Sequence, residues 1–213
     1  MPMTILVTAF DAFGGEQINP TALALDALSA RDLNIRLHKR LLPTVFHESI
    51  AELRKALDEV KPDAVLCLGQ AGGRNNITLE RVAINLDDAR IPDNKNNQPI
   101  DEVIFPDGEN AYFTTLPIKA IVKHLKEHGI PAEVSNTAGT FVCNHLLYGL
   151  LYSTHNTTVR GGFMHVPFLP EQVTDKPSMP SMSLEDITRA VFLALEAITL
   201  HKEDLSISGG KEW

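Results

Sequence analysis

Of the side chains that could act as nucleophiles, Cys143 has the most informative setting. It stands in "SNTAGTFVCNHLLYGLLY", residues 135–152, where strand-like residues give way to a break at Gly139 and an apolar helical run begins. That order puts a thiol at a helix start, where unpaired N–H groups and the helix dipole favour a thiolate. The competing reading is a small buried filler, which is what most cysteines of reduced proteins are. Cys67, inside the apolar run "AVLCLG", reads as such a filler.

A nucleophilic thiol needs a base, and the base needs a group to orient it. Among the eight histidines, His165 ends "GGFMHVP", where Pro167 closes a strand and the ring can face a loop-lined cleft. A satisfied core histidine is the alternative. His145, two residues beyond Cys143, would point to another side of its helix, and the other six lie in polar helices or strands and read as solvated. Glu80 in "ITLERVAIN" is a carboxylate in a strand with no evident solvent face, so it can orient an imidazole; an ion pair with Arg81 or with a neighbouring strand competes with that role. No metal or nucleotide site is expected. There is no C-x-x-C pair and no H-E-x-x-H, and the glycine-rich "GQAGGR" lacks the lysine of a phosphate loop.

The elements that must carry these residues alternate. "TILVT" (4–8) and "AVLCLG" (64–69) are short apolar runs of buried-strand type. "NIRLHKRLLP", "TLERVAIN", "PAEVSNT" and "VRGGFMHVPF" read as further strands. Helices are expected from Pro20, with proline in its first turn, and from His47, Leu116, Cys143 and Ser183. The last opens with a capping pair, Ser183 and Asp186, followed by a stripe of Leu184, Ile187, Val191, Leu195 and Ile198. Residues 86–110 are irregular, and a loop of that length points to function or to an interface. The tail "SISGGKEW" reads as loose. Strands alternating with helices imply a single α/β domain over residues 1–213, a three-layer α/β/α sandwich around a mainly parallel twisted sheet. In such folds the site lies at the carboxyl ends of the strands, which here lead to Phe10, Gln70, the Cys143 turn and His165.

The 213 residues carry 27 acidic and 19 basic side chains, a net charge of −8, which disfavours nucleic acid or an anionic membrane as partner. No run is long and apolar enough to span a bilayer, and "MPMTILVTAF" lacks the basic start of a signal peptide. Two cysteines do not make a disulfide-stapled secreted chain, so a cytoplasmic, reducing setting is expected.

Together "FGG" at Phe13, "NP" at Asn19, "LGQAGGR" at Leu68, "ERVAIN" at Glu80, "ARIPDN" at Ala89, "AYFTTLPIK" at Ala111, "NTAGTFVCNH" at Asn136 and "HVPFLPEQ" at His165 cover nearly the whole chain. Through them it resembles the type I pyroglutamyl peptidases, also called pyrrolidone-carboxylate peptidases. The resemblance implies a cofactor-free cysteine exopeptidase that removes N-terminal pyroglutamate from peptides, with Cys143 as nucleophile, His165 as base and Glu80 as orienter. It implies that Phe10 and Phe13 line the lactam pocket, that Asn19 and Gln70 shape it, and that Arg90 lies near the developing oxyanion. It also implies a homotetramer. The family's first loop, "GFxPFGG", reads "AFDAFGG" here, with Ala9 and Ala12 in place of glycine and proline, while both aromatic residues remain. Two other classes stay open beside it: a different cysteine hydrolase acting on small lactams or amides, and a non-catalytic binding protein on the same scaffold. A nucleoside-phosphorylase-like activity lacks a basic phosphate-binding set.

Overall fold

Runs of Val, Ile, Leu and Ala with no polar alternation can be buried only in the middle of a sheet covered on both faces. The computed structural model, which describes residues 2–210, uses them so. In chain order the elements are β1 (Met3–Phe10), α1 (Pro20–Ala27), β2 (Ile35–Leu42), α2 (Glu48–Val60), β3 (Ala64–Gln70), β4 (Ile77–Glu80), β5 (Val82–Ile84), β6 (Ala111–Phe113), α3 (Ile118–Glu127), β7 (Ala132–Ser135), α4 (Val142–Thr154), β8 (Arg160–Val166), a single 3-10 turn (Pro170–Gln172) and α5 (Leu184–Leu200). The main sheet has the order β2-β1-β3-β8-β4-β7. Every neighbouring pair is parallel except β4 with β8. The fold is therefore the expected α/β type with a mainly parallel sheet.

Alternation along the strands divides the core in two. Ile5, Val7, Leu66, Leu68, Leu79 and Met164 pack under α1, α3 and α5. Leu6, Phe10, Val65, Cys67 and Phe163 pack under α2 and α4. Ser183 caps α5 as expected, accepting from the Asp186 N–H while its hydroxyl donates to the Asp186 carboxylate.

Three expectations change. "TLERVAIN" is not one strand. It breaks at Arg81, whose N–H donates to Ser135 O, so β4 stays in the main sheet while β5 leaves it to pair with β6. Second, the tail is held at Gly209, and the residues just ahead of it are docked. The Asp204 carboxylate accepts from the Lys119 and Ala120 N–H groups and so caps α3, whose own cap position is a proline, and Arg81 Nη2 holds Gly209 O at 2.9 Å. The rest of the tail, 211–213, lies outside the described residues. Third, His124 is not solvated; it pairs with Glu196 between α3 and α5 at 2.6 Å.

The irregular segment 86–110 is stapled rather than free. The Asn144 side chain on α4 pairs with Ile84 N–H and C=O and with Leu86 O, so a helix residue stands in for a strand neighbour of β5. Asn85 exchanges two bonds with Phe105, and Tyr148 donates to Glu109 O. His145 does point away from the Cys143 cleft. It is buried, donates to Asp87 at 2.7 Å and accepts the His47 N–H at 2.8 Å, tying α4 to this segment and to the start of α2.

Candidate active site

The site forms on the α2/α4 face of the sheet, where β3, β8 and β4 lie side by side. Gly69 pairs in register with His165, and Thr78 pairs with His165 from the other side. The Phe163 ring sits next to His165, with centroids 4.7 Å apart. A hydrogen in place of a side chain at Gly69 opens the space above it. A Cβ built there would lie 2.6 Å from the Phe163 ring and 2.9 Å from Cys143 Sγ. The nucleophile candidate therefore rests over the strand position directly beside the base candidate, and Gly69 is what admits it.

Cys143 reaches that place because the chain turns sharply after β7. The Thr137 N–H bonds the Ser135 hydroxyl, the Gly139 N–H bonds the Thr137 hydroxyl, and Gly139 takes φ +78, a conformation suited to glycine. α4 then begins at Val142, with Phe141 as its cap residue and no capping side chain. Its first internal bond runs from His145 N–H to Phe141 O, so the N–H groups of Val142, Cys143 and Asn144 have no partner within the helix. They are left free as donors at the helix start that carries the sulfur.

His165 Nδ1 donates to Glu80 Oε1 at 2.7 Å, which fixes the tautomer and leaves Nε2 to handle a proton. Glu80 is fully buried at the end of β4, a strand running against β8, so it arrives from the opposite direction to His165. The same Oε1 takes Arg74 Nη1 at 2.6 Å, and the Ser135 hydroxyl lies near the carboxylate. Burial alone would raise the Glu80 pKa. The hydrogen bond and charge of His165, with the charge of Arg74, outweigh it and hold the carboxyl below its ordinary value. Glu80 is thus ionised.

The thiol departs from expectation. Cys143 is half-buried, and burial together with the Glu80 charge pushes its pKa up to about 12, against a downward pull from Arg74. Cys67, in the core beneath, is pushed up to about 12 by burial.

These shifts set two pH limits on stability. Glu80, with its pKa lowered, contributes stability that is complete above the unfolded carboxylate value of about 4.3 and is lost as pH falls through the folded value. The thiols act in reverse. The folded chain keeps protons that the unfolded chain releases above about pH 8.5, so stability is lost from there towards about 12. Comparing Tm at about pH 7 and about pH 10, Cys67→Ala is expected to lose less than the wild type between the two. An equal loss would contradict the assignment.

Beside the first turn of α4 lies an aromatic cluster. The Phe141 ring is 6.0 Å from that of Phe13 and 5.4 Å, edge-on, from that of Phe46. Phe10, at the end of β1, is buried behind them in the same core. The first loop is laced to its neighbours. Asp11 Oδ1 accepts from the N–H and hydroxyl of Thr44, and Asn94 Nδ2 donates to Ala12 O at 2.8 Å. These bonds supply the stiffness that a proline at position 12 would have given.

The remaining expected residues have distinct places. The Asn19 side chain caps α1 and donates to Asp11 O, which shapes the loop bearing Phe13. Gln70 follows Gly69 and so points to the opposite face, where its Oε1 accepts from Gln172 at 2.9 Å. Arg90 is exposed, in the segment that packs Ile91 towards Gly14 at the rim. Sequence reasoning did not single out Arg74, Phe46, Phe141 or Gln172. The signal for Arg74 was available, since a carboxylate buried in a strand calls for a cation nearby.

A family model described as pyroglutamyl peptidase matches residues 3–201. A pyrrolidone-carboxylate peptidase of Clostridium botulinum is 52% identical over 211 residues, covering 98% of this chain and 99% of that protein. One of Bacillus cereus is 51% identical over 210 residues, covering 97% and 98%. The crystal structure of the pyroglutamyl peptidase I from Bacillus amyloliquefaciens superposes with a TM-score of 0.93 at 49% identity, covering 98% of this chain and 100% of that one. A mutant pyrrolidone carboxyl peptidase from the hyperthermophile Pyrococcus furiosus gives 0.88 at 43% identity, covering 93% and 99%.

Proposed function

The chain belongs to the pyroglutamyl peptidase family, and on that premise we propose that Cys143, His165 and Glu80 are its nucleophile, base and orienting carboxylate. It is a cysteine peptidase that removes N-terminal pyroglutamate. The observation that carries the assignment is the alignment on one sheet face: His165 held by Glu80 at 2.7 Å, with the Cys143 sulfur resting over Gly69, the register partner of that histidine.

The chemistry follows from the charges. The first residue of the substrate is a closed, neutral lactam, so its site needs aromatic faces and polar groups for one NH and one C=O, with no carboxylate to hold an ammonium. Phe13 and Phe141 supply the faces, backed by the buried Phe10. A ring-opened glutamate or glutamine would bury an unpaired charge there, which gives strong discrimination.

His165 Nε2 takes the Sγ proton as the sulfur attacks the pyroglutamyl carbonyl. The N–H groups of the first α4 turn receive the oxyanion, each contributing about 3 kcal/mol; Arg90, on the segment whose Asp88 is bonded to Thr140 ahead of α4, is assigned to add charge there. His165 then protonates the leaving amine, and water cleaves the thioester. Asn19 and Gln70 act through the backbone and loop they fix.

The exposed face of the β5–β6 ribbon carries Ile84, Ala111 and Phe113, the last 69% exposed, and Ile100 and Val103 stand out from the neighbouring segment. An apolar area of this kind supports assembly into a homotetramer. No helix among the described residues is long and apolar enough to cross a membrane. Two free cysteines, one of them the nucleophile, support a reducing cytoplasm.

The test is release of a chromophoric amine from pyroglutamyl, prolyl and glutamyl anilides, with and without a thiol alkylator. Turnover of the pyroglutamyl substrate alone, abolished by alkylation, is expected. Turnover of the prolyl or glutamyl substrate at a similar rate would refute the pocket, and resistance to alkylation would refute the nucleophile.

A further inference from the structure

The buried Glu80 oxygen that holds His165 has a second owner. Arg74 comes from the tight turn after β3, where its N–H donates to Ala71 O and Gly73 takes φ +92. Its Nη1 meets Glu80 Oε1 at 2.6 Å and also donates to the Thr78 hydroxyl, and its Nη2 donates to Thr137 O at 3.0 Å. One planar guanidinium thus joins the β3–β4 connection, β4 and the loop that delivers the catalytic helix. Nothing in the trio's chemistry requires this contact, since His165 alone would orient through Glu80.

We infer that Arg74 is a positioning residue for the hydrolysis, keeping Glu80 ionised and aimed while preventing the Cys143 sulfur from facing an unbalanced carboxylate. The inference rests on the reading of Cys143, His165 and Glu80 as the working trio.

Charge bookkeeping carries it. At rest the cluster holds one anion, Glu80, and one cation, Arg74. Moving the Cys143 proton to His165 creates a further anion and a further cation, so the enclosed site is neutral before and after. Without the guanidinium the site holds a net negative charge at both stages. Glu80 is fully buried, and apart from His165 and Arg74 only the neutral Ser135 hydroxyl bears on it. Its charge would then oppose ionisation of the sulfur unchecked. The Arg74 charge already acts on that sulfur in the opposite sense to Glu80. The geometry matters as well as the charge, because Nη1 and Nη2 serve Glu80 and Thr137 O at once. A lysine ammonium restores the charge but not the planar fork.

The experiment measures alkylation of Cys143 by iodoacetamide as a function of pH, together with kcat and KM on a pyroglutamyl anilide, for wild type, Arg74→Gln, Arg74→Lys and Arg74→Ala. Arg74→Gln is expected to alkylate roughly tenfold more slowly near pH 7, with its limb displaced to higher pH. Its kcat falls by a similar factor or more, while KM changes by less than about threefold. Arg74→Lys recovers the limb and only part of kcat. Guanidinium ion at millimolar concentration raises kcat of Arg74→Ala. An Arg74→Gln limb that coincides with the wild type, or a loss confined to KM, overturns the inference. The wild-type arm keeps the two readings apart: if alkylation at Cys143 does not abolish turnover there, it is the trio that fails, whatever the Arg74 variants do.

Discussion

Cys143→Ala is expected to lower kcat by about 10⁴- to 10⁶-fold with the fold and the affinity for a pyroglutamyl ligand retained. The substitution removes one sulfur from a half-buried position at the second residue of α4. Alanine suits a first helical turn, and the Asn144 and His145 contacts that seat the helix do not involve the thiol. The loss is therefore chemical. The other thiol cannot take its place, because Cys67 is fully buried in the core on the same sheet face and is pushed up to about 12. Cys67→Ala is the matched control, expected to keep turnover. Steady-state kinetics with a calorimetric or fluorescence melt decides. Substantial turnover in Cys143→Ala, or its loss in Cys67→Ala, would reverse the roles of the two thiols.

The second large effect is at Glu80. Glu80→Gln preserves shape but not charge, and its expected cost is about 10²- to 10⁴-fold in kcat. In the wild type the ionised carboxylate accepts from Nδ1 and so holds Nε2 available. A neutral amide can present its NH₂ to the imidazole instead, which favours the tautomer whose proton sits on Nε2 and blocks proton abstraction. It also stabilises the imidazolium of the attack step less. KM should move little, since Glu80 is fully buried and its contacts are with His165 and Arg74 and not with the aromatic residues. A variant with unchanged kcat would show that the carboxylate is a structural partner of Arg74 and no more.

Much of this was readable in the residues, and what was not has physical causes. Unbroken apolar runs identified β1 and β3 as central strands, and the spacing of Ile187, Val191, Leu195 and Ile198 identified α5 with its capping serine. The break at Arg81 was not readable, because "TLERVAIN" suits a strand throughout. Only the bond from the Arg81 N–H to β7, and the departure of β5 towards β6, divide it. The tail looked loose from its glycines and serines, yet the Arg81 side chain holds Gly209 O, and just ahead of the tail Asp204 caps a helix that has no cap of its own. A side chain that satisfies a distant backbone leaves no local pattern.

At the site, Cys143 could be found from its place before an apolar run, and Glu80 from its strand. His165 could be preferred among eight histidines only by its position at a strand end. The cluster partners Phe46 and Phe141 come from loops far apart in sequence, and only their packing joins them. The raised thiol pKa was the opposite of what helix position alone suggests. Burial and the neighbouring Glu80 carboxylate set it, and both are properties of the assembled fold.

The most direct measurement is mass spectrometry of the enzyme quenched with acid during turnover of a pyroglutamyl ester, followed by peptide mapping. The account expects an added pyroglutamyl group on the peptide containing Cys143, formed and discharged at rates consistent with kcat and absent from Cys143→Ala. An acyl group found on another residue, or turnover with no acyl group captured at any time, would contradict it.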